Sequence, residues 1–266
     1  MDDPSGPTPR AHEWDAEAYH RVSVPHGGWA RDVVDRLELT GDETVLDLGI
    51  GTGRVATWLL QRLPRGRVIG IDSSERMLEK ARQALGDDER VTLIRGDLLE
   101  LAIDPPADAA ASSATFHWVL DQDRLFARIR RALRDGGQLA AQYGGRGNIA
   151  ALLAIVDEVT AREPFAEHFA GWERPWRFAG VDETVERLER AGFQVEDVWT
   201  TEAAVVPEDP HAFMRTVTLG PHLERLPEPL REPFLDAVVQ GTGGTAVHDY
   251  VRINVLARAR EGATAG

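Results

Sequence analysis

Short segments of strand length alternate with amphipathic segments through the first half of the chain. The strand-like segments are residues 45–48, 68–71, 92–95, 109–113 and 138–143. Between them, apolar positions recur at helical spacing in residues 55–63, 74–85 and 125–133. This alternation predicts a parallel sheet with helices on both faces, because each parallel strand needs a crossover to reach the next.

The pattern changes after residue 144. A helical run and an aromatic-rich segment come first, followed by an amphipathic helix that ends at Gly192, a residue suited to a helix C-terminus. A strand, a second helical stretch broken by prolines and a closing strand complete the chain. We therefore expect one seven-stranded sheet that carries two helical insertions. The predicted units are a core over residues 31–147, a helical and aromatic cap insertion over 148–180, a return to the core over 181–206, a second helical insertion over 207–246, and a final strand and tail over 247–266.

The first 30 residues form a separate unit in this prediction. Residues 1–11 are polar and rich in proline, and two short helices are expected on either side of Pro25-His26-Gly27-Gly28. Because that stretch can act as a hinge, we expect residues 1–30 to form a lid that orders when a ligand binds.

The sequence TVLDLGIGTG, residues 44–53, places glycines directly after a buried strand. Gly49, Gly51 and Gly53 occupy every second position, and a helix is predicted to follow. Glycines at such a turn let a ligand approach the backbone, and the helix start presents unpaired N–H groups. The next strand ends in Asp72, whose carboxylate can accept hydrogen bonds from both hydroxyls of a ribose. The pattern predicts a nucleoside-containing cofactor on a Rossmann-like α/β sheet.

The spacing of the glycines distinguishes between cofactors. Dinucleotide-binding loops follow G-x-G-x-x-G, whereas this chain has G-x-G-x-G preceded by Asp47. An acidic residue two positions before the first glycine suits a cationic ligand better than a pyrophosphate, and S-adenosylmethionine has a sulfonium and an ammonium group. Here the chain resembles the class I S-adenosylmethionine-dependent methyltransferases, whose first motif is D-x-G-x-G-x-G. By itself, the loop also fits a structural turn or another nucleotide site.

The resemblance continues in the order of the family's motifs. Asp72 matches the acidic end of the second strand, Gly96-Asp97-Leu98 matches a segment whose Asp contacts the adenine amine, and LRDGGQL at 133–139 matches the turn before the fifth strand. Asp135 replaces the usual proline of that turn, and Ile50 replaces a small residue of the glycine loop. The resemblance implies S-adenosyl-L-methionine as cofactor, S-adenosyl-L-homocysteine as its product, and cofactor contacts from Tyr19, Asp47, Gly49, Gly51, Thr52, Gly53, Asp72, Ser73, Met77, Gly96, Asp97, Leu98, Ser113 and Trp118.

Three further pieces resemble the trans-aconitate methyltransferase group and related small-molecule methyltransferases. They are WDAEAY at residues 14–19, ATFHWVLD at 114–121 and DYVRIN at 249–254. Because substrate identity in this fold depends on the insertions, the resemblance implies a small-molecule acceptor without fixing which one.

Composition narrows the class of partner. The 266 residues carry a net charge of −14, which argues against nucleic acid because its binding requires neutralising phosphates with basic residues. The chain has no cysteine and no apolar run of about 20 residues, the length that spans a bilayer. The eight histidines are scattered, so no metal is expected. We expect a cytoplasmic enzyme acting on a small molecule, without a nucleic-acid or membrane partner, as a monomer or homodimer.

Two residues are candidates for catalysis. Methyl transfer from an activated sulfonium requires an acceptor held in line in a dry pocket. His117 follows the fourth strand at the carboxyl edge of the sheet, where it could act as general base or orient the substrate. The alternative is that it packs on adenine or caps the next helix. Tyr19 matches the family's lid tyrosine, which reaches over the methionine end of the cofactor; ordinary packing is its alternative.

Arginines beside aromatic residues in the insertions are candidate substrate contacts. Arg174, Trp176 and Arg177 lie in the first insertion, where an arginine can bind a carboxylate through two hydrogen bonds. Arg215 and His222 in the second insertion and His26 near the start are further candidates. The alternative is that the aromatic residues form the core of a cap and that His26 lies on the surface.

Two classes of function follow. In the first, the chain is a methyltransferase that acts on the oxygen of a carboxylate, as in trans-aconitate, or of a hydroxyl; a natural-product O-, N- or C-methyltransferase is a variant of this reading. In the second, it binds the cofactor without transferring a methyl group.

Overall fold

The computed structural model describes residues 26–262, and within them all seven predicted strands are present. They are β1 (Thr44–Leu48), β2 (Arg67–Asp72), β3 (Val91–Arg95), β4 (Ala107–Ser113), β5 (Leu133–Gly144), β6 (Phe193–Val205) and β7 (His248–Ala259). Their order in the sheet is β3-β2-β1-β4-β5-β7-β6. The neighbours from β3 to β5 are parallel, whereas β7 runs antiparallel to both β5 and β6. The predicted Rossmann-like, mostly parallel sheet is confirmed.

The described helices fall into two groups. The helices that accompany the sheet are α1 (His26–Asp35), α2 (Arg54–Arg62), α3 (Glu75–Leu85), α4 (Gln122–Ala132) and α7 (Val181–Arg190). The others belong to the two insertions and are α5 (Ala150–Thr160), α6 (Ala166–Phe169), α8 (Pro210–Phe213), α9 (Gly220–Arg225) and α10 (Glu228–Gly241). A π-helical turn, Met214–Thr218, joins α8 to α9.

Each face of the sheet has its own apolar core. Leu46 and Leu48 of β1 pack with Phe116, Phe126 and Tyr143 on one face. On the other face, Val45 and Val68 pack against the apolar sides of α1, α2 and α3. The period-two alternation of β1 between the two clusters follows from strand geometry and explains why its sequence is almost continuously apolar.

The two insertions pack against each other and form a single cap. Leu152 and Val156 of α5 share a buried cluster with Met214, Phe234 and Val238 of the second insertion. This third core is separate from the two beside the sheet. The cap therefore has an apolar core of its own, which accounts for part of its aromatic content.

Three local features refine the sequence predictions. Helix α1 begins at His26 and includes Gly27 and Gly28, so these residues are helical rather than a hinge between two helices. Ser74 is the N-cap of α3, with its hydroxyl accepting from the Met77 N–H at 3.3 Å. Strand β5 begins at Leu133, so it includes the turn predicted at residues 133–139. The pairing of β5 with β4 shifts in register there, between Ala107 and Ala109. Most of the predicted lid, Tyr19 included, lies outside the described residues.

The helices of residues 26–262 differ from those that cross a bilayer. None of them has the length and apolar character of a membrane-crossing helix.

Candidate active site

The glycine loop after β1 is shaped by a close approach to the segment after β4. Gly49 has φ of 75°, and a Cβ placed there would lie 2.2 Å from the Thr115 Oγ1. Its N–H donates to the Ile71 carbonyl at 2.8 Å, which ties the loop to the end of β2. A side chain at this position would force the loop and the Thr115 segment apart, so glycine is required here for steric reasons.

Asp72 holds the same loop in place from the end of β2. One carboxylate oxygen accepts from the Gly51 N–H and the other from the Ser74 N–H, each at 2.9 Å. A carboxylate has about four acceptor positions, so a ribose ligand is compatible with these two bonds. Asp72 therefore shapes the loop as well as being a candidate ribose ligand, a structural role that sequence analysis did not predict.

Asp47 is the most unusual charged group at this edge of the sheet. Its side chain is 1% exposed, and neither carboxyl oxygen makes a hydrogen bond of ordinary geometry. Burial raises the pKa of Asp47 to about 8; the neighbouring Ala56 amide opposes this shift, and the negative charge of Asp72 adds to it. A buried carboxyl group without donors is costly unless a ligand supplies them. A cationic group would do so, which fits the ammonium-bearing end of S-adenosylmethionine.

The other predicted cofactor residues follow the carboxyl ends of β1, β2, β3 and β4. Asp97 N-caps the 3-10 helix Leu98–Glu100 by accepting from the Leu99 N–H at 2.9 Å. The side chains of Leu98 and Met77 are buried beneath this edge, so they contribute packing surface. The remaining predicted cofactor residues flank the same edge: Thr52 and Gly53 before α2, Ser73 after β2, Gly96 after β3, and Ser113 at the end of β4.

His117 follows β4 on a strained turn. Ala114, three residues earlier, has φ of 60°, a left-handed conformation that non-glycine residues rarely adopt. The buried His117 ring accepts a hydrogen bond at Nδ1 from the Gly144 N–H at 3.3 Å. In the neutral ring the proton therefore resides on Nε2, which makes that nitrogen a donor. This tautomer suits an orienting role better than that of a general base.

A cavity of about 500 Å³ lies in the cap next to His117. Its aromatic walls are Phe169, Trp172, Trp176 and Phe178. The Phe178 ring also packs on the His117 ring at 5.7 Å, and Trp176 packs edge-on against Trp118 at 5.5 Å. Phe178 therefore lines the cavity and also contacts His117, the predicted catalytic residue.

The predicted substrate arginines are all paired with acidic side chains. Arg174 lines the cavity and pairs with Asp157 of α5. Arg177 pairs with Glu183, and Arg215 pairs with Glu232 at 2.6 Å.

Only part of the predicted substrate set comes together. Arg174, Trp176 and His222 line the cavity, whereas Arg177 and Arg215 do not. Asp157 was not predicted, because two adjacent acidic residues, Asp157 and Glu158, at the polar end of an otherwise apolar helix give no signal for a paired arginine in the sequence. Helix α1 begins at His26, whose side chain lies outside the described part of the structure.

These features lie together at the carboxyl edge of a Rossmann-like sheet, where ligands bind in this class of fold. Residues 45–137 match the family described as a methyltransferase domain. The chain belongs to the S-adenosylmethionine-dependent methyltransferases and is an enzyme of that class, with S-adenosyl-L-methionine as its cofactor.

Relatives and solved structures agree with this assignment. Trans-aconitate 2-methyltransferase of Azoarcus sp. (strain BH72) is 32% identical over 231 residues, which cover 86% of this chain and 88% of that protein. Malonyl-(acyl-carrier protein) O-methyltransferase of Geobacter sulfurreducens is 30% identical over 210 residues, covering 75% and 77%. Phosphoethanolamine N-methyltransferase 2 of Haemonchus contortus, solved in complex with S-adenosyl-L-methionine, has the same fold with a TM-score of 0.62 at 19% identity, covering 92% of this chain and 57% of that one.

Proposed function

We propose that the protein is a small-molecule O-methyltransferase whose acceptor lies between His117 and the cap cavity. The observation that carries the proposal is the aromatic cavity, which shares Phe178 with the packing of His117. When bound, S-adenosylmethionine supplies an electrophilic methyl group, so the protein has only to bind, orient and dry the acceptor. The names of two relatives, a trans-aconitate 2-methyltransferase and a malonyl O-methyltransferase, support an acidic acceptor.

His117 acts in this proposal as a hydrogen-bond donor to the acceptor oxygen. Its Nδ1 is occupied as an acceptor from the Gly144 N–H, which places the proton on Nε2. A donor can position an oxygen that is already ionised but cannot remove a proton from one that is not. The geometry therefore supports a carboxylate or an acidic hydroxyl, which is ionised near neutral pH, over an aliphatic alcohol.

Methyl-labelled S-adenosylmethionine tests the proposal with a panel of carboxylic acids, phenols, alcohols and amines. We expect label in the methyl ester or methyl ether of an acidic acceptor, identified by mass spectrometry. Label found only on nitrogen or carbon, or only on aliphatic alcohols, would contradict the proposal.

Two substitutions separate the donor from the general base. Loss of a hydrogen bond to a charged oxygen should lower kcat/KM of His117→Ala by about 10- to 100-fold, mainly through KM. His117→Gln keeps an N–H donor and should recover most of that loss. A general base would instead lose about 10²- to 10⁴-fold in kcat, and Gln would not restore it.

A further inference from the structure

The walls of the cap cavity are built for a flat molecule. Four aromatic side chains, Phe169, Trp172, Trp176 and Phe178, line it. Trp172 and Trp176 both contact His222, at ring-centroid distances of 4.8 and 5.7 Å. Aromatic rings favour stacked or edge-on contacts with a planar partner, so the cavity favours a ring or conjugated system over a branched aliphatic chain.

The charges of the cavity disfavour a polyanion. Two carboxylates, Asp157 and Glu173, line it with a single guanidinium, Arg174. Arg174 is already paired with Asp157. A tricarboxylate would meet a lining with one more negative than positive charge and would have to compete with Asp157 for the cation. Like charges repel at these short separations even where solvent reaches the carboxylates, although less strongly than in a buried site.

His222 supplies the polar selectivity of the cavity. Its ring is fully buried, and neither ring nitrogen has a hydrogen-bonding partner. Burial, together with the positive charge of Arg174, lowers the pKa of His222 to about 3, so the ring is neutral at pH 7. A neutral imidazole has one donor and one acceptor. A hydroxyl or carbonyl group on a ligand would satisfy it, and a site built this way rejects an analogue that lacks the group.

We propose that this cavity holds the body of the methyl acceptor and selects a planar, aromatic or conjugated molecule with at most one negative charge and a neutral hydrogen-bonding group facing His222. This inference rests on the proposed function for its link to methyl transfer, and it makes His222 a specificity-determining residue. It also separates this protein from the relatives named for trans-aconitate, which carries three carboxylates.

Three probes test the selectivity by calorimetry with the full chain, in the presence of S-adenosylhomocysteine at pH 7.5. The probes are 6-hydroxy-2-naphthoate, 2-naphthoate and trans-aconitate. We expect 6-hydroxy-2-naphthoate to bind at least tenfold more tightly than 2-naphthoate, and trans-aconitate to bind more weakly than either. Tighter binding of trans-aconitate than of both naphthoates would overturn the inference.

Substitutions assign the selectivity to named residues. His222→Phe keeps the ring shape and should abolish the preference for the hydroxylated probe. His211→Phe is the matched control, because His211 is exposed and pairs with Asp236 at 3.0 Å outside the cavity lining. A preference retained in His222→Phe would overturn the role of His222.

A second variant tests the charge argument without touching the buried ring. Asp157 has an exposed carboxylate, so Asp157→Asn should leave the fold intact while freeing Arg174. We expect its affinity for trans-aconitate to rise at least fivefold; no rise would contradict the charge argument.

Methyl transfer to trans-aconitate without naphthoate binding would reject this inference and keep the proposed function. Selective naphthoate binding without methyl transfer to any member of the acceptor panel would reject the proposed function and keep the selectivity inferred for the cavity.

Discussion

Replacement of Asp47 by Asn tests whether its buried carboxyl group is reserved for a cationic ligand. The side chain is 1% exposed and unpartnered, and burial raises its pKa from the ordinary 3.8 to about 8. Because the pKa of the folded state lies above that of the unfolded chain, the folded protein retains this proton between pH 4 and 8 while the unfolded chain loses it. The stability contributed by this group is therefore full below pH 4 and falls as the pH rises to about 8.

The structure sets the size of the effect. Each pH unit within that window removes at most about 1.4 kcal/mol. Relative to the acid limit, the wild-type protein loses up to roughly 2 kcal/mol at pH 5 and up to roughly 4 kcal/mol at pH 7. Asn has the same shape and cannot ionise, so Asp47→Asn removes this pH-dependent loss. Any cost of burying the Asn amide is independent of pH and does not alter the slope.

Urea unfolding of the ligand-free protein at pH 5, 6, 7 and 8 measures the difference. The unfolding free energy of Asp47→Asn should increase relative to wild type with each unit of pH. Asp108→Asn is the control, because the Asp108 carboxylate accepts from the Thr44 N–H and from Arg134, so its loss should destabilise the protein. A difference between Asp47→Asn and wild type that stays constant from pH 5 to 8 would refute the reasoning.

Cofactor affinity provides the second half of this test. S-adenosylhomocysteine keeps the ammonium group and lacks the sulfonium, so its affinity reports on the ammonium contact alone. We expect Asp47→Asn to bind it about tenfold more weakly, the loss typical of a hydrogen bond to a charged partner. Unchanged affinity by calorimetry would remove Asp47 from the cofactor site.

Two further predictions concern stability. Gly49→Ala should lower the unfolding free energy in urea by more than Gly136→Ala does. Both residues have positive φ, which costs a non-glycine residue about 1–2 kcal/mol, but only a Cβ at Gly49 would clash with Thr115. Equal losses in the two variants would contradict the steric argument. Burial lowers the pKa of His248 to about 4, so the unfolded chain gains its proton first and wild-type stability should fall as the pH drops from about 6.5 towards 4. His248→Gln should reduce that slope by up to about 1.4 kcal/mol per pH unit in urea titrations, and a slope identical to wild type would refute the assignment.

The sequence by itself determined the sheet and the class of cofactor. The alternation of buried strands and amphipathic helices fixed the order of elements, because the periods of 2 and 3.6 residues are local properties of the chain. Local sequence was enough to predict a cofactor loop, because its glycines and acidic residues lie in short segments next to predicted strands. These residues are Asp47, Gly49, Gly51, Gly53 and Asp72. The crossover rule makes β1 and β2 parallel, so the residues that follow them are expected at the same edge of the sheet.

Tertiary structure decided the arrangement of the cap cavity. The two insertions are about 30 residues apart in sequence, and only their shared core places His222 beside Trp172 and Arg174. The pairing of Arg174 with Asp157 and the hydrogen bond from Gly144 to His117 join residues far apart in the chain, and they change what each side chain can do. Arg174 is a paired cation, and the Nδ1 atom of His117 is occupied as a hydrogen-bond acceptor. Such changes depend on burial and on partners brought together by packing, which no local pattern encodes.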